Sequence, residues 1–234
     1  MKKIIIFSLL LIFPQIKARV KFEAKLRVLP TQRFKLLAKL APYKTDEKNI
    51  VIQVIDEVGS PLNQQGIYLR LRKYFDGSFD TSIKLRPFDL SKIPAEWFNR
   101  PGFKCETNIT INNEITSCSL KAKFNKHVSY DNLMENFSPL QQKFLSSFKN
   151  LNMDMLDLRA SKEVQAYKTI YYHPDFTKEL EVESWIMPSG KIYLEVSTKT
   201  NSQGLEVFQK LLDLIESQNI TIVKNPESRL RNLL

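Results

Sequence analysis

Polar and apolar residues alternate along much of the chain with a period of two, which is typical of β-strands. The pattern is clearest at residues 20–28, where aliphatic and aromatic side chains fall on one face and Lys, Glu and Arg side chains on the other. Similar segments predict strands along the rest of the chain. The predicted strands cover residues 20–28, 50–55, 67–75, 79–86, 103–111, 114–124, 164–172, 178–185 and 191–198.

Three further segments carry apolar residues at the spacing of three to four that is typical of an amphipathic helix. They cover residues 34–40, 139–148 and 204–217. No internal repeat and no flexible linker divides the chain. We therefore predict an α+β fold in which residues 19–234 form a single domain.

Composition narrows the possible classes of protein. Of the 234 residues, 43% are hydrophobic and 26% are charged, so the chain can bury a core and is not expected to be disordered. Two Cys and two His exclude a disulfide-rich framework and argue against a His/Cys metal cage. The net charge is +10, and it would be +7 without residues 1–18, which hold three Lys and no acid. This excess predicts an anionic partner, but charge alone does not separate nucleic acid, a phospholipid surface and a free polyanion.

The first residues are typical of a secretory signal peptide. Lys2 and Lys3 precede an apolar run of about ten residues, and Ala18 offers a small residue for cleavage. A membrane-spanning helix needs about 20 apolar residues, so an uncleaved anchor is the weaker interpretation, and no later segment is long and apolar enough to span. We predict that residues 1–18 are a signal peptide and that the protein is exported, either to a periplasm or out of the cell.

The charged faces of the predicted strands can be explained in two ways. A single strand with one charged face is most simply a strand whose outer face is exposed to water. If the sheet closes on itself, however, every second residue points into a lumen, and a charged lumen must hold water, ions or an anionic ligand. The repetition of mixed Lys, Arg and Glu faces over several strands favours the closed arrangement.

Motifs on these strands resemble those of the CYTH family, also called triphosphate tunnel metalloenzymes. The central run consists of Asp56, Leu62, Gly66 and Leu69-Arg70-Leu71-Arg72, followed by Lys84 in Ser82-Ile83-Lys84-Leu85-Arg86-Pro87. The similarity extends over most of the chain. The other matching motifs, before and after this central run, are Glu23-Ala24-Lys25, Glu106, Leu194-Glu195-Val196 and Ser228-Arg229-Leu230.

The resemblance implies an eight-stranded antiparallel β tunnel with flanking helices that holds a triphosphate, a polyphosphate or another phosphorylated anion. Basic residues grip phosphate in this family, and Glu residues hold Mg²⁺ or Mn²⁺. The implied phosphate-binding residues are Lys25, Arg70, Arg72, Lys84 and Lys168. Arg86 is added because it lies two positions after Lys84 and therefore points to the same face of the strand. The implied metal ligands are Glu23, Glu106 and Glu195, of which Glu23 and Glu195 are also the candidate catalytic residues.

Several positions depart from the family pattern. Lys21, Asn108 and Tyr193 stand where the family has acidic residues, and Asp56 is followed by Glu57-Val58 in place of Thr-Pro. Each missing carboxylate removes a possible metal ligand. A two-metal mechanism is therefore not expected, although one metal held by the three remaining Glu residues stays open.

Cys105 and Cys118 flank a predicted turn at Asn112-Asn113 at similar distances, so they can face each other across two antiparallel strands. In an exported protein we expect such a pair to be oxidised, and two separate thiols are the alternative.

Two functions from different classes remain open. The first is a metal-dependent phosphohydrolase, and the second is a non-catalytic exported module that captures a phosphorylated small molecule or polyphosphate. A nucleotidyl cyclase is a third possibility within the resemblance. Interleaved Arg and Tyr residues keep single-stranded nucleic acid as a minor alternative, but we do not expect an exported protein to meet that partner.

Overall fold

The computed structural model describes residues 20–125 and 127–225. The predicted signal peptide and the motif Ser228-Arg229-Leu230 lie outside these residues. The strands are β1 Lys21–Val28, β2 Lys44–Asp56, β3 Ile67–Tyr74, β4 Phe79–Leu85, β5 Phe103–Ile109, β6 Glu114–Phe124, β7 Arg159–Ala160, β8 Val164–Tyr171, β9 Leu180–Ile186 and β10 Ile192–Thr200. The helices are α1 Arg33–Leu40, α2 Pro61–Gln64, α3 Pro139–Lys149 and α4 Gly204–Ser217.

In the part of the chain that the structure describes, nine strands form a closed barrel. Their order around the ring is β3, β4, β6, β5, β1, β10, β9, β8 and β2, and β2 pairs with β3 to complete it. The short strand β7 pairs with the end of β2 outside the ring. The eight strands implied by the family resemblance were therefore one too few, whereas the segments predicted from the alternating pattern number nine.

The odd number of strands also corrects the expectation of a purely antiparallel barrel. Strand directions cannot alternate all the way around a ring of nine, so at least one neighbouring pair must be parallel. That pair is β1 and β5, in which Lys21 is level with Glu106 and Glu23 with Asn108. The first strand is consequently held between β5 and the last strand, β10.

Helices cover the apolar outer faces of two sectors of the barrel. Ala24 and Leu26 of β1 pack in one core cluster with Leu36 of α1 and Leu211 of α4. A second cluster lies under α3 and includes Leu69, Leu71, Leu120, Phe144 and Leu145. Because these apolar residues face outward against helices, the residues that alternate with them face into the barrel.

The helix that covers the second sector begins where its sequence predicts. Ser138 accepts a hydrogen bond from the backbone N–H of Gln141, and the Gln141 side chain accepts one from the backbone N–H of Ser138, which is a capping box. Trp97 lies beside this helix, with its ring centroid 5.4 Å from that of Phe144. Aromatic packing thus fixes α3 on the outside of the barrel.

Strand β2 is longer than the alternating pattern predicts. It begins at Lys44, six positions before the predicted start at Ile50, and its first part pairs with β8, where Lys44 is level with Tyr171. Residues 44–49 are exposed and polar, so backbone pairing extends the strand without an apolar signal. No helix among the described residues is both long enough and apolar enough to cross a membrane.

The predicted cysteine pair is oxidised. Cys105 and Cys118 are level with each other on β5 and β6, and their sulfur atoms are bonded at 2.02 Å. Both residues belong to the outer core cluster under α3. The disulfide therefore links the two strands on the outer side of the barrel, away from the lumen.

Candidate anion-binding site

Charged side chains on β1 and β10 meet inside the barrel. Lys25 Nζ lies 2.9 Å from Glu23 Oε2 and 3.6 Å from Glu195 Oε1, so it bridges the two predicted catalytic carboxylates. Arg27 Nε donates to Glu195 Oε2 at 3.3 Å, and Lys199 Nζ lies 3.4 Å from Glu23 Oε1. These five residues form a continuous ion-paired network, which we call the central network.

The charge of Glu23 is stabilised by its neighbours. Burial alone would raise the pKa of this carboxyl group, but the positive charges of Lys25 and Lys199 hold the pKa well below its usual value. Glu23 is therefore an ionised carboxylate at any pH at which the fold is expected to be stable. It cannot serve as a proton donor in this arrangement.

Lys84 lies near the central network but has a different environment. Among the described residues, no carboxylate lies within ion-pair distance of its ammonium group. Burial and the positive charge of Lys25 lower the pKa of Lys84 to about 7, Arg70 adds to this effect, and Glu106 and Glu23 oppose it only in part. The ammonium form of Lys84 is thus disfavoured and would be stabilised by an added anion.

Arg72 has a fixed counter-charge of its own. Asp80 is fully buried. Its Oδ1 accepts a hydrogen bond from Arg72 Nε at 2.9 Å and lies 2.8 Å from Arg72 Nη2. Lys121 Nζ lies 3.0 Å from Asp80 Oδ2, which also accepts a short hydrogen bond from the Tyr74 hydroxyl. We call these four residues the Asp80 cluster.

Two other predicted site residues are also paired with a charge of opposite sign. Lys168 Nζ lies 2.7 Å from Glu181 Oε2, and Glu106 accepts a hydrogen bond from Lys104 Nζ at 2.8 Å. Arg86 follows the last residue of β4, and its backbone N–H donates to the carbonyl of Gly66 at 2.8 Å. The structure therefore brings Glu23, Lys25 and Glu195 into direct contact. Lys168 joins them indirectly, because its partner Glu181 also lies 3.9 Å from Lys199 Nζ, whereas Arg72 lies in a separate ion pair.

Two motif residues shape the backbone beside the site. Asp56 is fully buried and accepts hydrogen bonds from the backbone N–H groups of Glu57, Leu62 and Asn63, so it holds the turn after β2. Gly66 has φ +75°, and a Cβ atom there would lie 2.2 Å from the carbonyl oxygen of Arg86. These residues position β3 and β4 and do not extend into the ion-paired network.

The inference from sequence missed several members of the site. Arg27, Lys199, Asp80, Lys121 and Glu181 were not predicted, although each has the parity of a predicted residue on its own or a neighbouring strand. Because residues two positions apart on a strand point to the same face, the sequence could have identified them as lumen residues. Their pairing depends on the register between strands, which alternation along one strand does not contain.

The chain is similar to known proteins in its fold and not detectably in its sequence. No family model matches the chain, and no curated protein matches it in sequence. A Hippeastrum protein, a candidate adenylyl cyclase described as having a dominant triphosphatase activity, superimposes with a TM-score of 0.65 and 15% identity over 88% of this chain and 91% of that one. A candidate adenylate cyclase from Bacillus halodurans gives a TM-score of 0.56 and 13% identity over 91% and 96% of the two chains.

The chain has a CYTH-like fold. A candidate adenylate cyclase from Vibrio parahaemolyticus agrees, with a TM-score of 0.50 and 13% identity over 89% of this chain and 95% of that one. At such low identities the likeness establishes the architecture, and the residues that line the lumen must be judged from their own contacts.

Within residues 20–125 and 127–225, the CYTH-like tunnel does not present a formed metal site. Among the described residues, no three His, Cys, Asp or Glu side chains come together in a group that could hold a metal ion. Glu23 and Glu195 are each bound by two cationic side chains, and Glu106 is bound by Lys104. In this arrangement the three carboxylates do not fit Mg²⁺ or Mn²⁺, so the metal set remains a prediction.

The residues that depart from the family pattern lie next to the three remaining Glu residues of the predicted metal set. Lys21 is level with Glu106, and Asn108 is level with Glu23. Tyr193 lies under the guanidinium group of Arg27, whose Cζ is 5.0 Å from the ring centroid. A cation, an amide and an aromatic ring thus replace three possible oxygen ligands next to the remaining Glu residues.

One sector of the CYTH-like tunnel is lined by apolar side chains. We call it the apolar wall. It is a buried cluster on β2, β8 and the end of β9, with two tyrosines packed against it. Its members are Ile50, Ile52, Val54, Val164, Ala166, Trp185 and Met187, with Tyr74 and Tyr193. The buried members are 0–8% exposed and pack against one another, so the interior of this sector is a filled apolar core beside the charged groups.

Proposed function

We propose that the protein binds a phosphorylated anion, such as a triphosphate or polyphosphate, inside its tunnel. The observation that carries the proposal is the position of Lys84. It faces the lumen beside Lys25 and Arg70, and no carboxylate of the described residues lies within ion-pair distance of it. An anion at this point would supply the missing counter-charge.

The physical argument concerns the cost of burying a charge. A partly buried ammonium group without a counter-ion is destabilised by desolvation, and a phosphate oxygen would offset that cost through a charge-assisted hydrogen bond. Lys25 adds positive potential beside Lys84, although its own ammonium group is already paired with Glu23 and Glu195 at 2.9 and 3.6 Å. Without residues 1–18 the chain keeps 32 basic and 25 acidic residues, a net charge of +7, which favours the approach of an anion.

Isothermal titration calorimetry with tripolyphosphate tests this proposal. We expect the protein to bind tripolyphosphate and the Lys84→Met variant to lose at least tenfold in affinity, because a charge-assisted contact contributes roughly 1.5–3 kcal/mol. The matched control is Lys39→Met, which removes the same charge from the exposed side of α1. Equal losses in both variants, or no binding by the unsubstituted protein, would refute binding in the tunnel.

Hydrolysis of the bound phosphate chain is a second candidate function. It is favoured by the fold shared with the Hippeastrum protein that is described as a triphosphatase. Released phosphate is measured with tripolyphosphate and with ATP, each with Mg²⁺ or Mn²⁺, for the unsubstituted protein and for Glu195→Gln. Turnover that disappears in the variant supports an enzyme, whereas binding without turnover supports a capture module with an incomplete metal site.

Export is part of the same proposal. The apolar run near the start of the chain supports it, and the oxidised cysteine pair is consistent with an oxidising compartment. Mass spectrometry of the protein recovered from outside the cytoplasm tests it, with a mature chain beginning near residue 19 as the expected result. Recovery of the full-length chain from the cytoplasm would contradict export.

A further inference from the structure

A cavity lies on the outside of the barrel, between α3 and the loop that joins β4 to β5. Its volume is about 390 Å³, which falls within the range of about 300–1,000 Å³ that is usual for small-molecule sites. Lys143, Ser147 and Phe148 line it from α3, and Trp97 and Arg100 line it from the loop. None of its lining residues belongs to the central network or to the Asp80 cluster, so the cavity is separate from the tunnel site.

One side of this outer cavity is an aromatic surface that is already fixed in position. Trp97 is buried, and its ring centroid lies 5.5 Å from that of Phe148 and 5.4 Å from that of Phe144. The backbone N–H of Trp97 donates to the carbonyl of Pro94 at 3.0 Å, which holds the loop in a tight turn. Because this surface does not have to be ordered by a ligand, a ring or an aliphatic group can pack on it at little entropic cost.

The outer cavity is also lined by cations. Lys92, Arg100 and Lys143 are exposed at its edge, and no carboxylate of the described residues lies within ion-pair distance of any of the three. Elsewhere on the surface, Lys44 and Lys73 have carboxylate partners at 2.6 and 2.9 Å. The positive charge at this cavity is therefore not neutralised in the way that it is at those two lysines.

Acidic residues near the outer cavity reduce its positive charge only in part. Glu96 is the single acid among the lining residues, so three cations and one carboxylate leave a formal charge of +2. Hydrogen bonds from Ser91 lower the pKa of Asp89, and the charge of Lys92 adds to this effect, so Lys92 is partly engaged. Arg100 and Lys143 are thus the cations that remain for a ligand.

We propose that the outer cavity binds a small organic anion. Its aromatic or aliphatic group would pack on Trp97 and Phe148, and its carboxylate, sulfonate or phosphate group would pair with Arg100 and Lys143. An inorganic anion would leave the aromatic surface unused, and an uncharged ring would leave the cations unpaired. This binding site goes beyond the proposed function and does not depend on it.

Fluorescence titration with two related compounds tests the ligand class. Anilinonaphthalene sulfonate combines an aromatic group with one negative charge, and phenylnaphthylamine has the same rings without the charge. We expect the sulfonate to bind the unsubstituted protein at one site. Arg100→Gln should weaken its binding about threefold, because an exposed ion pair contributes only a few-fold in affinity, and should leave the uncharged compound unaffected.

A pair of variants on α3 tests the location of this binding. Ser147→Glu places a carboxylate in the outer cavity and should weaken binding of the sulfonate at least fivefold, through repulsion and loss of space. The matched control is Ser146→Glu, which makes the same change at an exposed position that does not line the cavity. Neighbouring helical residues point about 100° apart, so the control should change the affinity less than twofold. Circular dichroism checks that both variants fold.

Three results would overturn the proposal. The first is no binding of the sulfonate by the unsubstituted protein, and the second is equal affinity in Ser147→Glu and Ser146→Glu. The third is an equal loss of both compounds in Arg100→Gln, which would show that the site does not recognise the negative charge. Binding of tripolyphosphate is measured on the same samples, and its failure would refute the tunnel proposal without bearing on the outer cavity.

Discussion

Replacing Lys84 with Met is expected to stabilise the free protein while it removes anion binding. The Lys84 ammonium group is partly buried and is repelled by Lys25 and Arg70, which is why its pKa falls from 10.5 to about 7. Met keeps most of the aliphatic length of the side chain and removes the charge. The substitution therefore separates the cost of burying the ammonium group from its use in binding.

The pKa of Lys84 sets the size of the expected effect. A fall from 10.5 to about 7 corresponds to an upper limit of about 5 kcal/mol for keeping the lysine charged in the folded state. Because the shape of the side chain also changes, we expect a gain of about 2 kcal/mol in the free energy of unfolding at pH 6.5. For a chain of this size, that gain corresponds to roughly 4–8 °C in Tm.

The pH dependence gives a stricter test than the magnitude. Well below pH 7 the lysine is charged in both the folded and the unfolded states, so the full cost is present in the unsubstituted protein. Between pH 7 and about 10.5 the unfolded chain holds more protons than the folded one, so the stability of the unsubstituted protein rises with pH relative to Lys84→Met. The difference between the two proteins is therefore largest near neutral pH and shrinks towards pH 10.

Urea unfolding followed by circular dichroism at pH 6.5, 8 and 9.5 measures this difference. Lys39→Met serves as the control, and its effect should be small and independent of pH, because Lys39 is exposed on α1. A Lys84→Met variant that is less stable than the unsubstituted protein, or a difference that does not change with pH, would refute the electrostatic reasoning.

Three further predictions concern the stability of the barrel. Asp80→Asn should lower the free energy of unfolding by about 3 kcal/mol, because it leaves two cations of the Asp80 cluster without their buried counter-charge; urea unfolding measures this. Gly66→Ala should cost about 2 kcal/mol more than Gly77→Ala in the same assay, since both have φ near +80° but only Gly66 lies against a backbone carbonyl. Reduction of the Cys105–Cys118 disulfide should cost about 2–3 kcal/mol, because it closes a loop with a sequence separation of 13, and thermal melts with and without dithiothreitol test this.

These predictions have distinct controls. Asp213→Asn changes an exposed acid on α4 and should be nearly neutral, so an equal loss in Asp80→Asn and Asp213→Asn would contradict the role of the buried cluster. Equal costs at the two glycines would show that backbone conformation alone, without the contact to Arg86, accounts for the effect. A melting temperature that does not change on reduction would show that the disulfide adds no stability to the barrel.

The strands of this fold were predictable because the outer and inner faces of most of them differ in polarity. Residues 20–28 are the clearest case, and β1 was observed at Lys21–Val28. The start of β2 was not predictable, since residues 44–49 are polar on both faces and are held by backbone pairing with β8. The family resemblance implied one strand too few for the ring, and the alternating pattern gave segments for all nine ring strands but none for the two-residue β7.

The site was predictable as a set of residue types but not as a set of contacts. Parity shows that Arg72 and Lys84 face the same lumen, but it does not show that Arg72 is neutralised by Asp80 whereas Lys84 has no such partner among the described residues. The apolar wall was missed for a related reason. Residues 50–55 are apolar at five of six positions, so the pattern alone does not reveal which of them face inward.

The position of β1 between β5 and β10 has a consequence for the order of folding. The neighbour β5 begins at Phe103, but the other neighbour, β10, begins only at Ile192 and is synthesised after the other eight strands of the ring. Until then β1 has an unpaired edge, and the barrel cannot close around its charged interior. Closure is therefore a late event of high contact order, and we expect the growing chain to be most prone to aggregation just before β10 emerges.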